Sequence, residues 1–438
     1  MSVPPDPSPS ELPDALPPSG PAEAVAPAAA ASPSAWRVLT SRRFGTFFLG
    51  SSLSNVGTWF QNIAAGLLVF ELTRSTLLVG VVNFAQFAGA FLLAPWAGAA
   101  ADRFDRRRLL VVSQLAAATV GATLAVVTLL GWVTAPIVIG AALLLGLSLA
   151  FMVPALLALV PLLVEPDQLE SAISLNSVSF NLARAVGPVL GALVVEHAGY
   201  GAAFGLNAAS FLAFVTALLL IRPRTQQRRS GARPRLRESV QAVRARPLWA
   251  ALLLAVVAIS ASTDPINTLS PELAIEVFGG RELDVGWLVG AFGAGATVTA
   301  LTLSGWLRRR RRVLVPAMIV QGLGMVAVGL APTLAAAIAA MAVSGGGFLA
   351  AITRSTARLQ AEVPDVQLGR VMALWSLAFV GTRPVAALVD GAVAEAFGAR
   401  AAAVVLAVPV LVAAAWVHRF IGRNPPPVPS VPSPPARG

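Results

Sequence analysis

The chain has 438 residues, 56% hydrophobic and only 12% charged, with a mean hydropathy of +0.75, which is too little charge to cover a soluble domain of this size. It has no cysteine, which excludes disulfides and thiolate metal sites, and its two histidines, His197 and His418, make no metal-ligand pattern. The net charge of +11 would ordinarily point to nucleic acid, but every basic side chain is arginine and their positions point to a membrane instead.

Residues 1–35 are Pro, Ala and Ser with a few acids and lack the basic and apolar regions of a signal peptide, so they read as a disordered cytoplasmic tail. Six apolar segments follow near 44–70, 76–101, 107–132, 135–160, 170–197 and 201–222. Six more lie near 248–276, 284–306, 312–330, 333–358, 368–396 and 399–421. Runs such as 44–70, 79–101 and 109–132 can each cross ~30 Å of hydrocarbon as a helix, and a dozen of them exceed what a soluble core can bury. The hydrophilic gap at 223–247 is a basic cytoplasmic linker between bundles at 36–222 and 248–422, and Pro-rich 423–438 reads as a second disordered cytoplasmic tail. The expected fold is an all-α polytopic membrane protein with twelve transmembrane helices in two pseudo-symmetric six-helix bundles.

With the N-terminus in the cytoplasm, all but five of the 32 arginines fall in cytoplasmic tails, loops and linker. Arg74, Arg281 and Arg400 fall outside, and Arg184 and Arg383 fall within apolar segments. The positive-inside rule therefore puts both termini in the cytoplasm. The absence of Lys and the abundance of Ala fit a GC-rich bacterial genome, so the expected location is a bacterial plasma or inner membrane. An internal repeat supports the two halves. An offset of 199 residues lays Gln168 and Leu169 on Gln367 and Leu368, Ser177 on Ser376, and Phe180 on Phe379. It also matches Arg184 with Arg383, Glu196 with Glu395 and Gly199 with Gly398. Halves repeated in parallel place a substrate path between them.

The loop after the second segment reads Gly98-Ala-Ala-Ala-Asp102-Arg103-Phe104-Asp105-Arg106-Arg107-Arg108. It resembles the signature of the major facilitator superfamily, departing from it at Asp105, where the general motif has Gly. With Asn55-Val-Gly-Thr-Trp59 and Phe70-Glu-Leu-Thr73, it is similar to the subfamily of the enterobactin exporter and macrolide efflux proteins over about residues 36–422. Gly187-Pro188-Val-Leu-Gly191 is similar to the Gly-Pro motif of facilitator antiporters, although Ala183 and Arg184 replace the first half of that pattern. A small-residue packing face explains the same residues equally well. The resemblance implies secondary active export of a small organic molecule, drug- or siderophore-like, by alternating access in exchange for protons. It implies no cofactor, a proton gradient as energy source, and a monomer. In the family the loop clasps neighbouring helix ends, so Gly98, Asp102, Arg103, Arg106 and Arg107 are the expected gate; membrane anchoring alone would also explain Arg106 to Arg108.

Arg184 and Arg383 each lie about fourteen residues, or ~20 Å, from the cytoplasmic end of their helix, near the midplane. A charge there costs from ~3 to more than ~10 kcal/mol unless it meets a wet cavity or a partner. The pair either attracts anionic groups such as carboxylate or catecholate, or is neutralised and locks the bundle. Asp264, in Ser262-Thr-Asp264-Pro265-Ile-Asn267, stands where Pro265 breaks the backbone ladder and is the proton-coupling candidate; a solvated acid at the outer mouth is the alternative. Asn55, Trp59, Asn62, Asn83, Gln86 and Asn267 complete the candidate substrate cavity, each alone being as readily interhelical glue. Glu71, Glu196 and Glu395 fall at outer helix ends and read as solvated, while Asp390 is two turns from Arg383, too far to pair with it. No nucleophile-and-base pair or P-loop occurs, so an enzyme is not expected. A facilitator importer of a small metabolite is the rival reading, opposed by sparse Asn and Gln and the single Tyr200; a non-transporting membrane sensor is the other, opposed by the short tails.

Overall fold

The computed structural model describes residues 33–223, 241, 243–263, 265–309 and 312–423. The expected tails before residue 33 and after 423, and most of the basic linker, lie outside them. Every regular element among the described residues is helical. In lipid a backbone N–H finds no water, so a spanning segment satisfies its polar groups within its own helix.

The first half comprises α1 (Pro33–Thr40), α2 (Arg42–Thr73), α3 (Thr76–Arg103), α4 (Arg106–Leu129), α5 (Ala135–Leu159) and α6 (Leu169–Leu220). The second comprises α7 (Pro247–Ala261), α8 (Pro265–Glu272), α9 (Glu282–Arg309), α10 (Leu314–Leu330) and α11 (Leu334–Glu362), followed by α12 (Asp365–Val380), α13 (Thr382–Phe397), α14 (Ala399–Val405) and α15 (Val408–Arg423). Helix starts follow local chemistry. The side chains of Ser41, Ser75 and Asp105 accept the backbone N–H of Phe44, Leu78 and Arg108 and so cap α2, α3 and α4.

Nine stretches of the described chain are long and apolar enough to cross a membrane. One of them, Pro166–Leu220, has 55 residues, long enough for two crossings, and α6 turns within it at Gly199 with φ +79°. Helix α2 has 32 residues but is diluted by Ser51, Ser52, Ser54, Asn55, Gln61 and Asn62, and α10 is a shorter apolar helix of 17. With these, the chain fits a twelve-helix architecture. Gly398 repeats the turn of Gly199 with φ +78°, ending α13 and starting α14. A side chain at either position would be strained, so the repeat seen in sequence is also a repeat of backbone conformation.

The seventh segment is discontinuous, as Pro265 implies: α7 stops at Ala261, α8 starts at Pro265, and a π turn follows at Leu273–Val277. Side chains tie up the carbonyls near such breaks. Ser262 Oγ donates to the Leu406 carbonyl between α14 and α15 at 2.9 Å, and Gln321 Nε2 donates to the Ile259 carbonyl at 3.0 Å. Each half has an aromatic core. Phe44, Phe47 and Phe214 are buried in the first, and Trp249, Phe292, Phe348 and Trp375 in the second. In lipid these cores are held by close packing rather than by release of water.

The halves meet along two matched helix pairs, α3 against α13 and the first limb of α6 against α9. Small residues let the backbones touch. A Cβ on Gly80 would collide with the Ala387 carbonyl, and one on Gly391 would stand 2.8 Å from Leu77 Cα. On the other pair, a Cβ on Gly286 would stand 2.8 Å from the Pro188 carbonyl and one on Gly293 would stand 2.7 Å from that of Arg184.

Candidate functional site

At the face opposite the chain termini, acids of one half hold helix starts of the other. Glu395 Oε2 accepts the Ser75 hydroxyl at 3.0 Å and the Leu77 N–H at 3.3 Å, a carboxylate at the positive end of α3. Its repeat partner Glu196 accepts Arg281 Nη1 at 2.8 Å, just before α9. Arg74 approaches Glu276 at 3.8 Å. The Thr76 hydroxyl donates to Glu272, whose other oxygen takes the Ala399 N–H at 2.9 Å. One turn or two deeper, Asn83 Nδ2 donates to Thr268 Oγ1 at 3.3 Å. This face is closed.

Glu71 and Glu395 are exposed, as expected of solvated acids, while Glu196 is half-buried, and all three also have partners. Glu196 and Glu395 bridge the halves, and Glu71 accepts the Tyr200 hydroxyl within its own half. Depth along a helix reveals nothing about a partner brought in by another bundle. Replacing both bridging acids, Glu196→Gln with Glu395→Gln, should speed alkylation of a cysteine placed at buried Thr268 by a few-fold, since a partly exposed ion pair and a carboxylate at a helix N-terminus each contribute only ~0.2–1 kcal/mol. The chain has no native cysteine to obscure the signal. An unchanged rate would show that these acids do not hold the face shut.

Nearer the middle, the two repeat-related arginines make matched contacts across the same interface. The Arg184 guanidinium lies 4.8 Å from the ring centroid of Phe292 on α9 and 5.0 Å from that of Phe348 on α11. Arg383, at the start of α13, lies 4.1 Å from the ring centroid of Phe87 on α3. Each cation thus rests on an aromatic face of the opposite half, a stabilising arrangement away from water. A ring covers the flat face of a guanidinium but not its N–H edge, the part that binds carboxylate or phosphate in a fork. Nothing in the sequence offset identified these rings.

The polar group of the first bundle divides in two directions. Gln86 Nε2 donates to Asn62 Oδ1 at 2.9 Å, and with Gln61 they line a void of about 10 Å³, room for about one water. Gln61 Oε1 accepts Asn207 Nδ2 at 2.5 Å, joining α2 to the second limb of α6. Asn83 instead crosses to the second half, as described above. Gly187 packs against Trp59 and Gly191 against Phe60, while the Pro188 carbonyl meets Gly286, so the Gly187–Pro188–Gly191 motif seats α6 between α2 and α9. Asn55 and Asn267 are half-buried.

In the loop motif, Arg106 Nη1 donates to the Ala158 carbonyl at 2.8 Å, and Arg107 donates Nε to Leu218 at 2.5 Å and Nη2 to Leu219 at 2.7 Å. These cations clasp the carboxyl-terminal carbonyls of α5 and α6, where the helix dipole favours them. Arg103 is exposed. Gly98 falls within α3, and the side chain of Asp102 and the whole of Asp264 lie outside the described residues. One acid was passed over in the sequence except as a partner for Arg383. Asp390 of α13 is 1% exposed, and an acid so buried in a membrane helix is a functional candidate by default.

Residues 33–428 match the family described as transmembrane secretion effector. The chain is 28% identical over 410 residues to the enterobactin exporter of Citrobacter koseri, covering 89% of this chain and 95% of that one. It is 22% identical over 370 residues to macrolide efflux protein A of Streptococcus pyogenes, covering 81% and 90%. Among solved structures it is similar to a bacterial homologue of the human lysosomal transporter Spinster, inward-facing and unoccupied, with a TM-score of 0.71 at 13% identity over 91% of this chain and 100% of that one. The model of one family thus covers nearly all of the described chain, over a facilitator fold, and the chain belongs to the transmembrane secretion effectors, multi-pass transporters of the major facilitator superfamily.

Proposed function

We propose that this transporter exports a small organic molecule, drug- or siderophore-like and carrying an anionic group, in exchange for protons. Residues 36–222 rock against 248–422, with both termini in the cytoplasm of a bacterial cell and no cofactor beyond the proton gradient. The observation that carries this reading is the matched stacking of Arg184 and Arg383 on rings of the opposite half. Rocking must slide or break those stacks, and an anion bound between the halves offers the guanidinium edges a replacement contact. Export is supported by the relatives, an enterobactin exporter and a macrolide efflux protein. Asp264, beside the break at Pro265, and buried Asp390 are the proposed proton carriers. The Asp102 loop, with Arg103, Arg106 and Arg107, is the proposed gate on the termini face.

The test uses inside-out vesicles carrying the protein, energised to hold an acid interior, with a pH-sensitive dye. Macrolides, lipophilic cations and catecholate siderophores are added in turn, against empty vesicles. Proton loss triggered by an anionic siderophore, and abolished by Asp264→Asn or Asp390→Asn, is the expected result. Proton loss that survives both substitutions removes these acids from the coupling. No response to any compound by folded protein overturns proton-linked export.

A further inference from the structure

We propose that the termini face of the first bundle carries a binding site for an anionic phospholipid. A cavity of about 650 Å³ opens where α4 begins and α5 and α6 end. Its rim is Arg106, Arg107 and Arg108 with Asp105, and its wall includes Val112, Leu162 and Leu219. The wall is continuous with the membrane-facing surface: Val112 is 64% and Leu219 59% exposed, as apolar residues are where lipid tails cover them. A ligand for this cavity must present an anion at the rim and hydrocarbon below it.

The rim favours an anion for two reasons. Asp105 is held at the helix start, where its Oδ1 caps α4 by accepting the Arg108 N–H at 2.8 Å, and its single charge is outnumbered by the three arginines beside it. The first turn of α4 has no acid and three arginines, which places like charge at the positive end of the helix dipole. A phosphate bound there relieves that conflict within the chain. Arg107 is held in place by the Leu218 and Leu219 carbonyls, and those bonds use only part of its N–H donors, while Arg108 is exposed at the lip. Basic pockets between membrane helices on the cytoplasmic side suit anionic headgroups, and the arginine distribution puts this face in the cytoplasm. Lipid binding at this face is independent of the direction of transport and of its substrate.

The full-length protein in detergent would be titrated with dioleoyl phosphatidylglycerol, with dioleoyl phosphatidylcholine and with glycerol 3-phosphate, reading bound ligand by native mass spectrometry. Phosphatidylglycerol should be retained several-fold better than phosphatidylcholine. Arg108→Gln should weaken it about fivefold, the effect of removing one cation beside an anionic headgroup. Leu162→Trp, which fills the cavity and leaves the rim charges, should also weaken retention. Thermal unfolding would check that both variants are folded. Equal retention of the two lipids, or retention unchanged in both folded variants, overturns the site. Displacement of phosphatidylglycerol by glycerol 3-phosphate overturns the lipid assignment in favour of a soluble phosphate ligand.

Discussion

A Val189→Cys, Gly290→Cys variant should lose transport by more than tenfold when oxidised and regain it when reduced. Val189 lies on the first limb of α6 and Gly290 on α9, and a Cβ at Gly290 would stand 2.6 Å from Val189 Cγ2. The two Cβ atoms therefore fall within reach of the ~3.5–4.5 Å that a disulfide requires. Cysteine at 189 also removes one of the valine methyls that would crowd the new Cβ. The bond would join the halves beside Pro188 and Ala185, on the pair that keeps the face opposite the termini shut. No native cysteine competes for oxidation. Gly290→Cys alone separates the cost of the added Cβ from that of the cross-link. If quantitatively cross-linked protein still transported, the halves would not rock about this interface.

The repeat at an offset of 199 residues shows where sequence was informative and where it stopped. Gly199 and Gly398 could be matched in sequence, and they share one backbone conformation because positive φ leaves few choices other than glycine. Break points in the helices were legible for a similar reason: Pro265 removes a backbone donor wherever it stands. Glu196 and Glu395 were matched as residues, but the bridges they make were not legible, because their partners, Arg281 and the start of α3, come from the opposite half. The same holds for Arg184 and Arg383. Hydropathy placed both near the midplane, but the rings beneath them belong to helices far away in sequence, and phenylalanine in an apolar helix gives no sign of what it faces. Asn62 and Gln86 were grouped by depth alone, and the group contains two arrangements, one inside the first bundle and one, through Asn83, across to the second. Periodicity and residue type report the environment of a single helix. Contacts between the bundles are set by how the helices of both halves pack, which no local pattern records.

That limit is also why the arginines are the sharpest test of the transport mechanism. Replacing either by glutamine, Arg184→Gln or Arg383→Gln, removes the charge and keeps an amide of moderate length. If the guanidinium edge binds an anionic substrate, each variant should lower affinity for it by roughly tenfold or more, since hydrogen bonds to charged groups contribute ~1.5–3 kcal/mol. A neutral analogue of the same compound should be bound almost as before. Lysine keeps the charge but lacks the planar face that rests on Phe87 or on Phe292 and Phe348, so Arg383→Lys and Arg184→Lys should fall between the two. If the arginines only fasten the halves, the outcome differs in kind. Glutamine would then change thermal stability and the balance between closed and open faces, and it would weaken charged and neutral compounds alike. Binding of a matched charged and neutral pair to both variants of each arginine separates these results, because only a direct contact discriminates by the charge of the ligand.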